Sequence, residues 1–508
     1  MKASFLGLVA VLAFPRVGAA PPGGCGVGRT VKTDSGPVQG HPASGAPLVS
    51  EYLGIPYAQP PVGDLRFQPP VAFEGSSVIN GSNFGFSCFQ PKTTGASLDT
   101  IIKLGIPASA GLVLQALSSP GPQSEDCLTL NVWTKKQTGG AAKPVLVWVH
   151  GGSFASGSSS VPAYNGKFLA DQEDVVVVSV NYRLNLFGFP GNPVAEPNLG
   201  LLDVRKALEW VKDNIRGFGG DEKRITLFGQ SAGAALVDHI SYGWASDPIA
   251  SGFGLISGVA GAFTSGNATR AARTWFSIAS RIGCGGVEAD DEAVYQCMLG
   301  KSAAEILAGV EAEDSGAFST NGLTFGPVVD GVRVFSDYVA RRPANGGYLI
   351  GNADNEAGLY RVSSPDQPEQ VWQGLNAAAF SCPAAGRVLR SLAAGNPTWR
   401  YRWFGDFPNL VLTTKPPSGS WHTSDIPVLF DTAPQGLVRN TEEQTAIGRY
   451  VRGAWAAFAS DPQEGLLSYD GGWPRYQPGQ PTLVRPAFGN QTGPNLAGAS
   501  AYDAVCVV

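Results

Sequence analysis

A serine hydroxyl attacks an ester only when a nearby base takes its proton and an acid orients that base, so serine, imidazole and carboxylate must meet in one place. Gly229-Gln230-Ser231-Ala232-Gly233 offers the first of these groups. It lies between Ile225-Thr226-Leu227-Phe228, a run of strand type, and Ala234-Ala235-Leu236-Val237, small and apolar residues suited to a helix packed beneath that strand. Ser231 would then stand on a sharp strand-to-helix turn. Gly229 and Gly233 would allow the strained backbone and the close helix–strand approach that such an elbow needs. The chain has 66 glycines in 508 residues, so the pentapeptide alone arises easily by chance and its surroundings must decide.

The partners of a serine at such an elbow follow it in the order acid, then histidine. The chain has four histidines, at 41, 150, 239 and 422. His41 precedes every candidate element, and His239 lies two turns down the helix that leaves Ser231. His150 opens the turn His150-Gly151-Gly152-Ser153-Phe154, directly after the apolar run Val145–Val149. Two glycines after a strand leave backbone N–H groups free to bind an oxygen that turns negative in a tetrahedral intermediate. Elimination leaves His422, in the loop Gly419-Ser420-Trp421-His422-Thr423-Ser424-Asp425. For the acid, Glu356 follows the strand-like Tyr348-Leu349-Ile350-Gly351-Asn352, with Asp354 as a close rival and Asp330 a weaker one. Spacing does not choose among them.

These groups need a frame whose strand ends converge. Val145–Val149 and Val175–Val180 are continuous apolar runs, as in parallel strands covered on both faces. Between Asp203 and Ile215 the residues Val204, Leu208, Val211 and Ile215 recur at helical spacing, with Arg205, Lys206, Lys212 and Asp213 expected outward. Alternating strands and amphipathic helices predict an α/β fold: a large, mostly parallel sheet with helices on both faces and its site at the carboxyl ends of the strands.

At 43% hydrophobic the chain can bury a large core, and no linker, repeat or low-complexity stretch divides it, so one domain over 20–508 is expected. A net charge of −5 with 15% charged residues offers no basic surface for nucleic acid or anionic lipid, leaving a small-molecule partner. No metal cluster or phosphate loop appears, so no cofactor and no metal are expected, and nothing in the sequence specifies an oligomeric state. Met1-Lys2, the apolar stretch from Phe5 to Phe14 and Val17-Gly18-Ala19 form the three parts of a secretory signal over 1–19, too short to span a bilayer. Export suits the seven cysteines, at 25, 88, 127, 284, 297, 382 and 506, which allow three bridges and leave one over. Cys284 and Cys297 are near enough for a short loop. Asn80, Asn267 and Asn490 head N-glycosylation sequons.

Longer blocks carry a resemblance. Tyr52-Leu53-Gly54-Ile55-Pro56-Tyr57-Ala58 through Leu65-Arg66-Phe67, Ser124-Glu125-Asp126-Cys127-Leu128, Asn181-Tyr182-Arg183 and Asn198-Leu199-Gly200-Leu201-Leu202-Asp203 occur in order, with Phe218-Gly219-Gly220-Asp221 leading to the elbow. In these the chain resembles the type-B carboxylesterases, the family of cholinesterases and certain fungal lipases, and the resemblance spans nearly all of the chain after the signal. It implies an α/β-hydrolase fold and a serine esterase with Ser231 as nucleophile, Glu356 as acid and His422 as base. It favours Glu356 over Asp354 because Asn352–Gly358 is similar to the family's acid loop. It also implies Gly152, Ser153 and Ala232 as N–H donors to the oxyanion, and bridges Cys88–Cys127, Cys284–Cys297 and Cys382–Cys506, with Cys25 unpaired. Ion pairs Arg66–Glu125 and Arg183–Asp203 follow from it as structural links.

The chain also departs from that pattern. Gln230 stands where many members have Glu, and Ser153 replaces the last glycine of the usual oxyanion turn. The stretch from Glu356 to Cys382 is short, which predicts a reshaped or more open pocket. The loop from Cys88 to Cys127 has no tryptophan to bind a quaternary ammonium, which disfavours choline esters. It carries Ile101–Ile106 and Leu112–Leu117 instead, a pattern suited either to a lid over an acyl chain or to permanent packing on the body. Two other readings of the same residues are an acyltransferase or lactone-forming or lactone-opening enzyme with this triad, and a non-catalytic binding protein of cholinesterase-like fold.

Overall fold

A computed structural model describes residues 26–91, 97–118, 121–136, 141–263, 267–313 and 324–506; the signal segment and Cys25 lie outside them. The strands of the main sheet are β1 (His41–Ala43), β2 (Ala46–Pro56), β3 (Thr129–Lys135), β4 (Lys143–Val149), β5 (Val176–Val180), β6 (Gly220–Gln230), β7 (Gly252–Ile256), β8 (Gly347–Ala353) and β9 (Thr398–Trp403). They lie side by side in the order β9-β8-β7-β6-β4-β5-β3-β2-β1. The six strands from β4 to β9 pair parallel, and β5/β3, β3/β2 and β2/β1 pair antiparallel. Among the helices are α1 (Leu98–Leu104), α2 (Ala108–Ser118), α3 (Leu199–Asn214), α4 (Ala232–Gly243), α5 (Cys382–Ala393) and α6 (Glu442–Ser460).

Strand alternation sorts the core into two layers. Val145, Val147, Val149, Ile225 and Leu227 point to one face, where they meet Val204, Leu208 and Val211 of α3 and Leu236 and Ile240 of α4. Leu146, Trp148, Phe228, Leu349 and Trp403 point to the other, against Ile447, Val451, Trp455 and Phe458 of α6. Burial on both faces is why β4 and β5 read as unbroken apolar runs. The apolar stripe of α3 is buried as expected, but Arg205 is not turned outward. It is buried, because its guanidinium pairs with Glu209 and Asp247 and lies 5.4 Å over the Trp244 ring.

Three disulfides join Cys88 to Cys127, Cys284 to Cys297 and Cys382 to Cys506, the pairings that the resemblance implied. Both expected ion pairs form. Arg66 grips Glu125 at 2.6 and 2.7 Å, and Arg183 grips Asp203 at 2.8 and 2.7 Å while donating its backbone N–H to the same carboxylate. Asp203 is fully buried, so its charge depends on that fork. Arg183→Met should therefore lower unfolding stability in urea by about 3–5 kcal/mol, and Arg183→Met with Asp203→Leu should recover most of the loss. A single-variant cost below about 1 kcal/mol would show that water, not Arg183, satisfies Asp203.

Candidate active site

Four loops leave the carboxyl ends of neighbouring parallel strands, and the candidate residues sit on them. β6 ends at Gln230 and α4 begins at Ala232, so Ser231 alone makes the turn, at φ 56° and ψ −125°. Its N–H donates to Ile256 O on the adjoining β7 at 2.8 Å, and its own carbonyl accepts from Ala235 N. A Cβ on Gly233 would lie 2.1 Å from Val149 O, and one on Gly229 2.6 Å from the Gly233 carbonyl carbon. The two glycines thus let the elbow close onto β4, and the strain at Ser231 is held by its surroundings.

The turn after β4 lies beside it. Gly152 has φ 110°, and a Cβ there would fall 2.0 Å from Ser156 O. Ser153 has φ 55°, the left-handed region that suits glycine and that a serine enters at a cost of about 1 kcal/mol. Among the described residues, no hydrogen bond engages the N–H groups of Gly152, Ser153 or Ala232. Ala232 also opens α4, whose N-terminal end favours negative charge.

Glu356 follows β8 and is 1% exposed; its Oε1 accepts from Ala353 N at 2.7 Å. Its Oε2 lies 2.5 Å from Nδ1 of His422, which is 3% exposed. The histidine loop is pinned to the acid loop by a bridge between Asn355 and Trp421 and by Asn355 N donating to Ser420 O at 3.0 Å. Gly358 permits this approach, since a Cβ there would lie 2.5 Å from Ser418 O. The rival acids serve elsewhere. Asp354 pairs with Arg402 at 2.7 Å, and Asp330 accepts from Asn198 and from three backbone N–H groups of residues 332–334. The other histidines do too. His150 bonds Gly151 O and stacks on Tyr182, His239 bonds the Tyr338 hydroxyl, and burial pushes both rings down to about 4. His41 faces Glu51 at the sheet edge.

The structure brings His422 to the elbow by an unexpected contact: its Nε2 lies 2.9 Å from the side-chain nitrogen of Gln230. The Ser231 hydroxyl, on a residue 8% exposed, makes no hydrogen bond among the described residues. Catalytic hydrogen bonds are often unformed until substrate binds. The short stretch between Glu356 and Cys382 supplies Tyr360 and Phe380, whose rings lie 5.4 and 4.9 Å from the imidazole, with Phe263 packed edge-on behind Phe380.

Sequence reasoning missed two neighbours of this group. Gln230 was visible as a departure at the elbow, but its reach to His422 depends on a loop about 190 residues away. Asp425 is 5% exposed, and among the described residues its Oδ1 has no hydrogen-bond partner. Burial first, and then the charge of Glu356, push its carboxyl up to about 7. Its place three residues after His422 carried no signal of that burial.

Comparison with known proteins agrees with the geometry. The sequence profile of the Carboxylesterase family matches residues 28–373. The chain is 32% identical over 505 residues to a chlorogenic acid esterase of Aspergillus niger, covering 95% of this chain and 94% of that protein. It is 33% identical over 484 residues to a protein of Gibberella zeae named secreted lipase 5, covering 88% of each. An acetylcholinesterase of Electrophorus electricus is 35% identical over 347 residues, which are 66% of this chain and 52% of that enzyme. With its nine-stranded sheet and this match over most of its length, the chain belongs to the carboxylesterase family, has the α/β-hydrolase fold and is a carboxylic ester hydrolase.

Proposed function

We propose that the chain is a secreted serine esterase that cleaves a hydrophobic ester through an acyl-enzyme formed on Ser231. The observation that carries this reading is the buried Glu356–His422 hydrogen bond, with Nε2 of the imidazole turned to Gln230 of the elbow that bears Ser231. Glu356 accepts the hydrogen bond from Nδ1–H, so Nε2 presents the lone pair that a general base needs. Ser231 Oγ attacks the ester carbonyl as its proton passes to Nε2, and the N–H groups of Gly152, Ser153 and Ala232 hold the oxyanion. His422 then protonates the leaving alcohol, water enters by the same route in reverse, and the acid departs.

The rings of Tyr360, Phe380 and Phe263 supply an apolar wall beside the base, which supports a hydrophobic acyl or alcohol group. In α1, Leu98, Ile101 and Ile102 are exposed, while Ala110 and Val113 of α2 are buried, so the apolar loop is part packed and part presented to solvent. No single helix among the described residues is long and apolar enough to cross a membrane. Three disulfides and the resemblance to a secreted lipase support export after removal of 1–19, with one domain over the remainder. Asn80, Asn267 and Asn490 are exposed, as glycan acceptors must be.

Ser231→Ala should fold normally and hydrolyse a short p-nitrophenyl ester about a million-fold more slowly. Turnover within tenfold of the wild type would refute the nucleophile. Removing the rigid oxyanion geometry with Gly152→Ala should cost kcat about a hundredfold, or roughly 3 kcal/mol. Asp425 makes a separate prediction of sign. Its carboxyl titrates near 7 in the fold but near 4 when unfolded, so the native state loses stability relative to the unfolded one as pH rises through that window. The stability of Asp425→Asn relative to wild type should therefore rise from pH 4 to pH 7 in urea unfolding; a constant difference would contradict a carboxyl pushed up by burial.

A further inference from the structure

Both ring nitrogens of His422 are engaged without the serine. Nδ1 gives its proton to the hydrogen bond with Glu356 Oε2 at 2.5 Å, which fixes the tautomer whose Nε2 carries a lone pair. Gln230 stands 2.9 Å from that lone pair. Only an amide N–H can meet it favourably, so the NH2 end of Gln230 faces the ring. The amide is held in place: Gln230 is 4% exposed, and a Cβ on the neighbouring Gly151 would fall 2.7 Å from its Oε1. The lone pair that must receive the serine proton is thus already occupied, by the side chain next to the serine.

We propose that Gln230 is a positioning residue of the hydrolysis: its side-chain amide holds the imidazole of His422 in its resting orientation by donating to Nε2, and yields that lone pair to the Ser231 hydroxyl when the ester binds. The inference rests on the reading of Ser231, His422 and Glu356 given above. The exchange is of one hydrogen bond for another. The amide keeps both its protons and turns away; the Ser231 O–H takes its place; the proton moves to Nε2 as Oγ bonds the acyl carbon and the carbonyl electron pair moves to oxygen.

The residue type matters because of charge. An N–H donor to Nε2 favours the neutral base, whereas a carboxylate at position 230 would attract the protonated ring. The groups packed about the imidazole are Glu356 on Nδ1, Gln230 on Nε2, and the rings of Tyr360 and Phe380, with Asp425 and Tyr401 next to Glu356. Gln230 therefore offers the base a neutral donor where a Glu would offer a negative charge.

The test is the pH dependence of kcat/KM on a p-nitrophenyl ester for the full-length wild type, Gln230→Glu and Gln230→Met. Gln230→Glu should move the acidic limb upward by about one pH unit, a tenfold loss of rate below the limb. Gln230→Met has similar bulk and no donor. It should move the limb upward by less and lower kcat severalfold with KM within about twofold, because the amide acts on the base and not on the substrate. It also serves if the Glu variant does not fold. Limbs that stay at the wild-type pH in the folded variants, whatever happens to kcat, overturn the inference. With Ser231→Ala inactive, that result leaves the proposed function standing; a fully active Ser231→Ala overturns both.

Discussion

A carboxylate buried to 1% exposure has to be paired or hydrogen-bonded, and for Glu356 the partners are the Ala353 N–H and the Nδ1–H of His422. That requirement organises the site. It draws the loop of residues 419–425 onto the end of β8, it selects the imidazole tautomer, and it aims Nε2 at the elbow after β6. The same charge has a cost nearby, since Asp425 sits in its field, has no hydrogen-bond partner for Oδ1 among the described residues, and is held toward its neutral form, first by burial. One acid in this corner is hydrogen-bonded through both oxygens and its neighbour is held back from charging, an arrangement in which environment divides the roles of two like groups.

Backbone conformation does the remainder. Ser231, Ser153 and Phe154 all have positive φ without being glycine, and they cluster at the ends of two adjacent strands. Residues held there lie away from their own preferred regions and persist because the packed sheet over-determines them. In the function proposed above, such strained backbone would hold the hydroxyl and the N–H groups ready before charge develops. Gly151, Gly152, Gly229 and Gly233 contribute by absence, each marking a place where a Cβ would meet backbone or the side chain of Gln230.

Much of this was legible in the sequence because it is local. The apolar runs of β4 and β5 announce parallel strands, and the glycines around Ser231 announce a turn that only close packing requires. The four histidines were few enough for elimination to reach His422, while the choice of Glu356 over Asp354 needed the family resemblance, since both stand just after β8. Arg402 explains the outcome: it claims Asp354 from a strand that no local pattern connects to it. Arg205 was misread for the same reason, its helical position suggesting solvent while Asp247, Glu209 and Trp244 enclose it. Gln230 was visible as a departure at the elbow and Asp425 as the end of the histidine loop, but the group each one faces across the fold was not.

The account stands on Ser231 as the one side chain that becomes covalently attached to the acyl group. The direct measurement is mass spectrometry of the protein after reaction with a fluorophosphonate, with peptide mapping of the adduct. A single adduct on the peptide holding Gly229–Gly233, located at Ser231 and abolished by prior loss of the folded state, is the predicted result. An unlabelled but folded protein that still turns over ester, or an adduct on a different residue, would contradict it.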